Sequence, residues 1–382
     1  MQQEYSQYEK THKLPRHIRS AAMSLRDCRT ERLGGHIQAC PDGHHERHWY
    51  NSCKHRLCPQ CAFIQIARWL MKKKAQILQC VHFHVIFTAS DNLDCLWKTN
   101  MQLMSNILFA CSRDTLIELL NDPKHLGALP GIIASFHSWS RTLAFHPHIH
   151  CLVTGGGLSG NGRWVSITGG YLLPFEVLRV LFRAKVLCKI RKAYDEGKLK
   201  LPEGMNEKQF NRVLIRSAST KWNVHPCKAY SHGNGVLIYL ARYVRGGPIK
   251  NSRFISHNDG KVSFVYGRKN HEQMTLRVEQ FLYRFLQHTP MPNSVLVRSY
   301  GLYHHSKKTE LNICHAIHGI PSVDNIEFLD WQTFCSTQGD EHPERCPVCG
   351  KQLVCIQLKT AVKFIPEVIT KMPVVYPHVL AA

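Results

Sequence analysis

The sequence predicts an α+β protein: a cysteine- and histidine-rich module followed by a sheet domain interrupted by helices. Three observations carry that expectation. Of 16 cysteines in 382 residues, most fall near the two ends of the chain, several at CxxC spacing. The stretches "QCVHFHVIFTAS" (79–90), "GIIASFHSWS" (131–140) and "HPHIHCLV" (146–153) have the alternation and the β-branched content of strands. Longer segments of helical periodicity lie between and after them.

Taken in order, residues 61–78 ("CAFIQIARWLMKKKAQIL") have helical spacing and join the cysteine-rich region to the first strand. A long helix is expected over about 92–121, and "TGGGLSGNG" (154–162) reads as a turn after the third strand. "PFEVLRVLFRAKVLCKIRKAY" (174–194) has the pattern of a basic amphipathic helix. "GNGVLIYLARYV" (233–244) is a shorter helix, stopped by Gly246, Gly247 and Pro248. Asp259-Gly260 marks a hairpin, and residues 273–288 read as a further helix. No internal repeat or low-complexity tract is present.

Composition narrows the class. A hydrophobic content of 44% with 20% charged residues describes a folded chain rather than a disordered one. No apolar run approaches the roughly 20 residues that cross a bilayer. The polar start lacks the apolar core of a signal peptide, so a bacterial cytoplasmic, nucleoid-associated location is expected and a disulfide framework is not. Lys and Arg total 49 against 27 acidic residues, a formal charge of +22, dispersed along the chain. A folded chain with that surplus calls for a polyanionic partner, nucleic acid first.

The cysteines point to zinc. Between Cys40 and Cys61 the chain reads "CPDGHHERHWYNSCKHRLCPQC". Cys58 and Cys61 have the spacing that puts two thiolates on one tetrahedral ion. Cys40 and His44 could supply the other pair, with Cys53 a competitor, while Cys28, His36, His45 and His55 rank behind them. Arg47, Lys54, Arg56 and Arg68 nearby suit phosphate contact. Cys346 and Cys349, in "CPVCG", form a second half-knuckle, with Cys335, His342 and Cys355 within reach in sequence.

The sharpest feature is "HPHIH". On a strand, His146, His148 and His150 project to one side and Ile149 and Cys151 to the other, so three imidazoles can converge on a divalent cation. Tyr239 and Tyr243 lie four apart in "VLIYLARYVRGG", about 40° apart around a helix, on the flank of a stripe made by Val236, Leu237, Leu240 and Val244. Together these fit one chemistry. A histidine-bound Mg²⁺ or Mn²⁺ polarises a scissile phosphate, and a tyrosine oxygen attacks it to give a 5′-phosphotyrosine and a free 3′-hydroxyl. A phenol with an ordinary pKa near 10 needs the cation, or Arg242 and Arg245, to stabilise its phenolate.

The segments "HPHIHCLVTGGG", "YLARYV", "GGPIKNSR" and "YNSCKHRLCPQC", in their order along the chain, resemble the insertion sequence 91 family of two-tyrosine HUH transposases. The resemblance implies an HUH endonuclease domain whose histidine strand is central in an antiparallel sheet backed by helices. It implies His148 and His150 as metal ligands and Tyr239 and Tyr243 as nucleophiles. His146 stands on the correct face for a third ligand, and residues near the tyrosine helix could serve equally well. His44 stands where family members often carry a second CxxC. Arg242, Arg245, Lys250 and Arg253, in and after the tyrosine segment, are the expected DNA contacts. The implied domains are a zinc-binding DNA-recognition module at 1–75, an HUH domain at 76–270 with a helical insertion at about 172–230, and a C-terminal region at 271–382 with the late half-knuckle. The implied partner is single-stranded DNA at element ends and target, with structural Zn²⁺ and catalytic Mg²⁺ or Mn²⁺, in rolling-circle transposition. A replication initiator or relaxase would use the same groups on other DNA. A non-catalytic zinc-ribbon nucleic-acid binder would use histidines and tyrosines only for packing.

Overall fold

The structure, a computed structural model, describes residues 1–61, 63–230, 237, 247–267, 272–320, 330–337 and 342–361. The N-terminal part holds α1 (Tyr5–Thr11), α2 (Arg16–Asp27), β1 (Gly35–Ala39), β2 (Glu46–Tyr50) and α3 (Phe63–Gln76). Then come β3 (His82–Thr88), α4 (Asp94–Asn121), β4 (Leu129–Trp139), β5 (Phe145–Leu158), β6 (Trp164–Ser166), α5 (Phe175–Asp195), α6 (Glu207–Ser219) and β7 (Val224–Tyr230). The last part holds β8 (Phe254–Asn258), β9 (Lys261–Val265), β10 (Gln273–Arg277), α7 (Val278–Leu286), β11 (Val297–Gly301), α8 (Lys308–Ile317), α9 (Trp331–Thr337) and β12 (Val354–Lys359).

The main sheet is antiparallel, in the order β11-β4-β5-β3-β7, with β6 paired to the far end of β5. The histidine strand β5 is therefore central, and its alternation divides the sheet into two unlike faces. Ile149, Cys151 and Val153, with Phe83, Val85 and Phe87 of β3 and Phe136 of β4, face α4 and α5 in the largest core. On the opposite face stand His82, His84, Ser135, His137, His148 and His150, followed by Ile133 and Leu152, which belong to a smaller apolar cluster. The expected α+β fold with a central antiparallel sheet backed by helices is the observed one.

A tight turn between β4 and β5 sets their register. Ser140 N–H donates to the Ala144 carbonyl at 2.9 Å and Leu143 N–H to the Ser140 carbonyl at 3.1 Å, with Leu143 at φ 63°. His137 thereby stands opposite His148, and Trp139 opposite Phe145. His146 and Pro147 together face one residue of β4, a bulge that places the proline where the ladder is already interrupted.

Four expectations are corrected. "TGGG" is not a turn: β5 runs through it to Leu158, and the chain reverses at Ser159–Arg163, where Ser159 N–H donates to the Arg163 carbonyl at 2.9 Å. Glycine fits a strand there because a Cβ on Gly157 would stand 2.6 Å from the Leu129 carbonyl oxygen. Residues 273–277 are a strand paired with β9, and only 278–286 are helical. The insertion contributes two helices, but its last expected residues form β7, an edge strand of the main sheet. The region at 271–382 does not stand alone. β11 joins the main sheet, and α7 packs with Tyr5, Leu25 and Cys58 in a core shared with the N-terminal part. β12 pairs with β1, completing the three-stranded sheet β12-β1-β2. The Asp259-Gly260 hairpin is as expected, with φ of 50° and 67° at its turn.

Candidate metal centre and cysteine tetrads

The strand pairing brings together three buried imidazoles, those of His137, His148 and His150, with one ligating nitrogen of each within 4.8 Å of the others. The Nε2 atoms of His148 and His150 are 3.0 Å apart. Two ligands at right angles on one ion, with bonds of about 2.1 Å, would be separated by about that distance. His148 Nδ1–H donates to the His146 carbonyl at 2.6 Å, which leaves Nε2 as its lone pair. His150 Nδ1 meets His84 Nε2 at 2.8 Å, and Ser135 Oγ lies 3.3 Å from His137 Nε2. Burial first, and neighbouring imidazoles after it, pushes His137 and His150 well below the ordinary histidine value. Burial likewise brings His148 down to about 4. All three are therefore neutral near pH 7, the form that binds a metal. The donor set fits a divalent cation.

His146, expected on this face as a third ligand, is not among the converging rings. Its side chain is 39% exposed at the start of β5, with Nδ1 4.0 Å from Asp91 Oδ1. The bulge at Pro147 displaces it. His137 and His84 lie inside two of the strand segments, and the sequence alone assigns them no ligand role. Their alternation put them on one face, but nothing in the sequence fixed which neighbour that face would meet.

Tyr239, Tyr243, Arg242 and Arg245 lie outside the described residues, as do Val236, Leu240 and Val244. Leu237 is described: it is helical, fully buried, and belongs to the apolar cluster with Ile133 and Leu152 on the histidine face. Lys250 is exposed. Arg253 has carbonyl partners, donating from Nε to Val265 at 2.6 Å and from Nη2 to Arg141 at 3.1 Å. It thus clamps the β8–β9 hairpin to the turn before β5.

Among the described residues seven cysteines fall into two ligand groups, and neither is the set expected. Cys28, Cys53, Cys58 and Cys61 have their sulfurs within 4.8 Å of one another. Cys28–Cys58 and Cys53–Cys61 are each 3.6 Å apart, too long for a disulfide and close to the about 3.8 Å edge of a tetrahedral zinc site. Hydrogen bonds from Cys53, Cys58 and Cys61 hold Cys28 far below the ordinary thiol range. Cys28 ranked low in sequence because it lies outside the knuckle, at the end of α2. Cys40 and His44 are not in this group. They meet Cys346 and Cys349. His342 and Cys355 do not: His342 Nδ1 accepts from Glu344 N, and Cys355 Sγ donates to the Gln357 carbonyl.

A central antiparallel sheet presenting converging imidazoles, joined to a cysteine-rich N-terminal module, defines an α+β protein with a zinc-binding domain. The family described as "Transposase zinc-binding domain" matches residues 1–89, and that described as "Putative transposase" matches residues 131–310. "Putative transposase y4qJ" of Sinorhizobium fredii (strain NBRC 101917 / NGR234) is 34% identical over 345 residues, 87% of each chain. "Transposase for insertion sequence element IS801" of Pseudomonas savastanoi pv. phaseolicola is 27% identical over 69% of this chain and 63% of its own. The chain belongs to the insertion sequence 91 family of transposases. Among solved structures, the conjugative relaxase TrwC with oriT DNA covers 43% of this chain and 70% of its own at 12% identity and a TM-score of 0.23, a likeness too slight to carry weight. Among the described residues no helix is long and apolar enough to cross a membrane.

Proposed function

We propose that the protein is a DNA transposase that nicks and rejoins single-stranded DNA at the ends of its own element, by a rolling-circle route in the bacterial cytoplasm. The observation that carries this reading is the convergence of His137, His148 and His150 on the central strand pair, on the face that also buries Leu237. Leu237 is two residues before Tyr239 in sequence, and its burial on that face supports a tyrosine pair acting on the histidine side of the sheet.

In this reading His137, His148 and His150 hold one divalent cation, and His84 and the His146 carbonyl fix the rings that present it. When bound, Mg²⁺ or Mn²⁺ supplies positive charge to a non-bridging oxygen of the scissile phosphate. Imidazole ligands favour Mn²⁺ in affinity, while supply favours Mg²⁺. Tyr239 or Tyr243 attacks phosphorus through its phenolate oxygen: the Tyr O–P bond forms, the P–O3′ bond breaks, and the 3′-oxygen leaves as a hydroxyl after taking up a proton. Arg242 and Arg245 stabilise the phenolate. Attack by a 3′-hydroxyl on the phosphotyrosine reverses the step, so joining needs no ATP, and two tyrosines allow donor and target strands to be cut in turn. The net charge of +22 supports the DNA partner. Cys28, Cys53, Cys58 and Cys61 hold a structural Zn²⁺ that keeps the N-terminal module folded for recognition of the element ends.

The test is a labelled single-stranded end sequence incubated with the protein and Mn²⁺ or Mg²⁺. Wild type should give a detergent-resistant protein–DNA adduct and Tyr239→Phe/Tyr243→Phe none. An adduct that survives in the double variant sinks the nucleophile assignment.

A further inference from the structure

We propose that Cys40, His44, Cys346 and Cys349 form a second zinc site, built from both ends of the chain, which fastens residues 342–361 to the N-terminal module as its third strand. The match to a zinc-binding domain stops at residue 89 and does not reach this pair of late cysteines. Four ligand atoms lie within 4.8 Å of one another, with Cys40 Sγ 3.5 Å from Cys349 Sγ and 3.8 Å from His44 Nδ1. No pair is at bonding distance, and a tetrahedral ion with three thiolates and one imidazole has edges of about that length.

The backbone is shaped for such a site on both sides. After Cys40, Gly43 N–H turns back to the Cys40 carbonyl at 2.9 Å, and Cys40 N–H donates to the His45 carbonyl at 2.8 Å. After Cys346, Gly350 N–H donates to the Cys346 carbonyl at 2.9 Å, and Cys346 N–H to the Lys351 carbonyl at 2.8 Å. Gly43 and Gly350 have φ of 74° and 72°, the left-handed conformation that lets each short loop close. The two loops are matched knuckles from opposite ends of the chain, and Lys351 pairs with Asp42 across them at 2.7 Å.

Among the described residues, little apolar burial holds this segment. The apolar cluster around the site is Cys40, Cys346 and Leu353. Val354, Ile356 and Leu358 of β12 are largely exposed, so pairing with β1 removes little apolar surface from water. A hairpin of β1 and β2 alone is marginal, and a third strand stabilises it. Metal binding free energy therefore stands in for the missing core. Cys28, Cys58 and Cys61 are buried in a large core, whereas His44 and Cys349 are exposed, so the second zinc exchanges faster.

The experiment measures zinc per full-length chain, with His137, His148 and His150 replaced by alanine throughout so that only the tetrads are counted. The parent should carry two zinc ions, Cys346→Ser/Cys349→Ser one, and His44→Cys two. Two ions persisting in the serine variant, or one in the parent, overturns the site. Timed alkylation of the zinc-loaded wild-type chain, read by mass spectrometry, avoids reliance on variants that fail to fold. Under a chelator Cys346, Cys349 and Cys40 should become reactive together, before Cys28 and Cys58. Immediate alkylation of Cys346 and Cys349 without chelator overturns the proposal, as does a disulfide between any of the three cysteines in protein purified under reducing conditions.

Discussion

His84 Nε2 stands 2.8 Å from Nδ1 of His150, so a histidine on β3 aims a histidine on β5. For His150 to present Nε2 to an ion, Nδ1 must carry the hydrogen, and His84 is its acceptor. Burial brings His84 down to about 4 and keeps that acceptor neutral. His84→Ala should weaken Mn²⁺ binding about 10- to 100-fold, the usual effect of losing such a partner. At saturating Mn²⁺ the nicking rate should return close to wild type, and His84→Gln should be intermediate. An unchanged Mn²⁺ dissociation constant by calorimetry would refute the orienting role.

His137 and His146 separate in a direct contest. His137 is buried among the converging rings, whereas His146 is half-exposed beside Asp91. His137→Ala should cut nicking at least 100-fold and weaken metal binding, while His146→Ala should change either by only a few-fold, because its contribution to His148 is a backbone carbonyl. Equal losses in the two variants would restore His146 as a ligand.

The contrast shows which parts of this molecule local sequence can reveal. Period-2 alternation put His148 and His150 on one face, and Asp-Gly marked a real hairpin, because both signals are complete within a few residues. His137 needed the register of β4 against β5, set by the Ser140–Ala144 turn and altered by the Pro147 bulge. Cys28 and the partners of Cys346 needed chain segments tens to hundreds of residues away. "TGGG" carries the composition of a turn, yet its glycines serve close approach to Val81 beside β3, to β6 and to β4. Residues 273–277 continue the helical pattern of 278–286, and pairing with β9 overrides it.

Acid should destabilise the protein through His82. Its Nδ1–H donates to the Cys80 carbonyl and its Nε2 accepts from Tyr303 Oη, each at 2.8 Å. Burial brings it from 6.5 to about 4. Between those values the unfolded chain binds more protons, so stability present above pH 6.5 is lost as pH falls towards 4, at roughly 1.4 kcal/mol per unit. Urea unfolding at pH 7 and pH 5, in zinc-containing buffer, should show His82→Gln losing about 2 kcal/mol less than wild type across that interval. Parallel losses would rule out His82 as a source of the acid sensitivity.

Leu237 tests whether the tyrosines' action depends on the apolar cluster that buries this residue. The residue is fully buried in the cluster with Ile133, Leu152, Leu302 and Tyr303, on the histidine face. Leu237→Ala removes a buried side chain, a change worth about 2–5 kcal/mol, two residues before Tyr239 in sequence. The metal ligands sit on β4 and β5 and are untouched. Adduct formation should therefore fall at least tenfold while the Mn²⁺ dissociation constant stays within twofold of wild type, and Leu237→Met, which keeps the volume, should recover most of the loss. If Leu237→Ala abolished metal binding as well, the cluster would be supporting the sheet itself; if adduct formation were unchanged, the tyrosines would be held by something other than this contact.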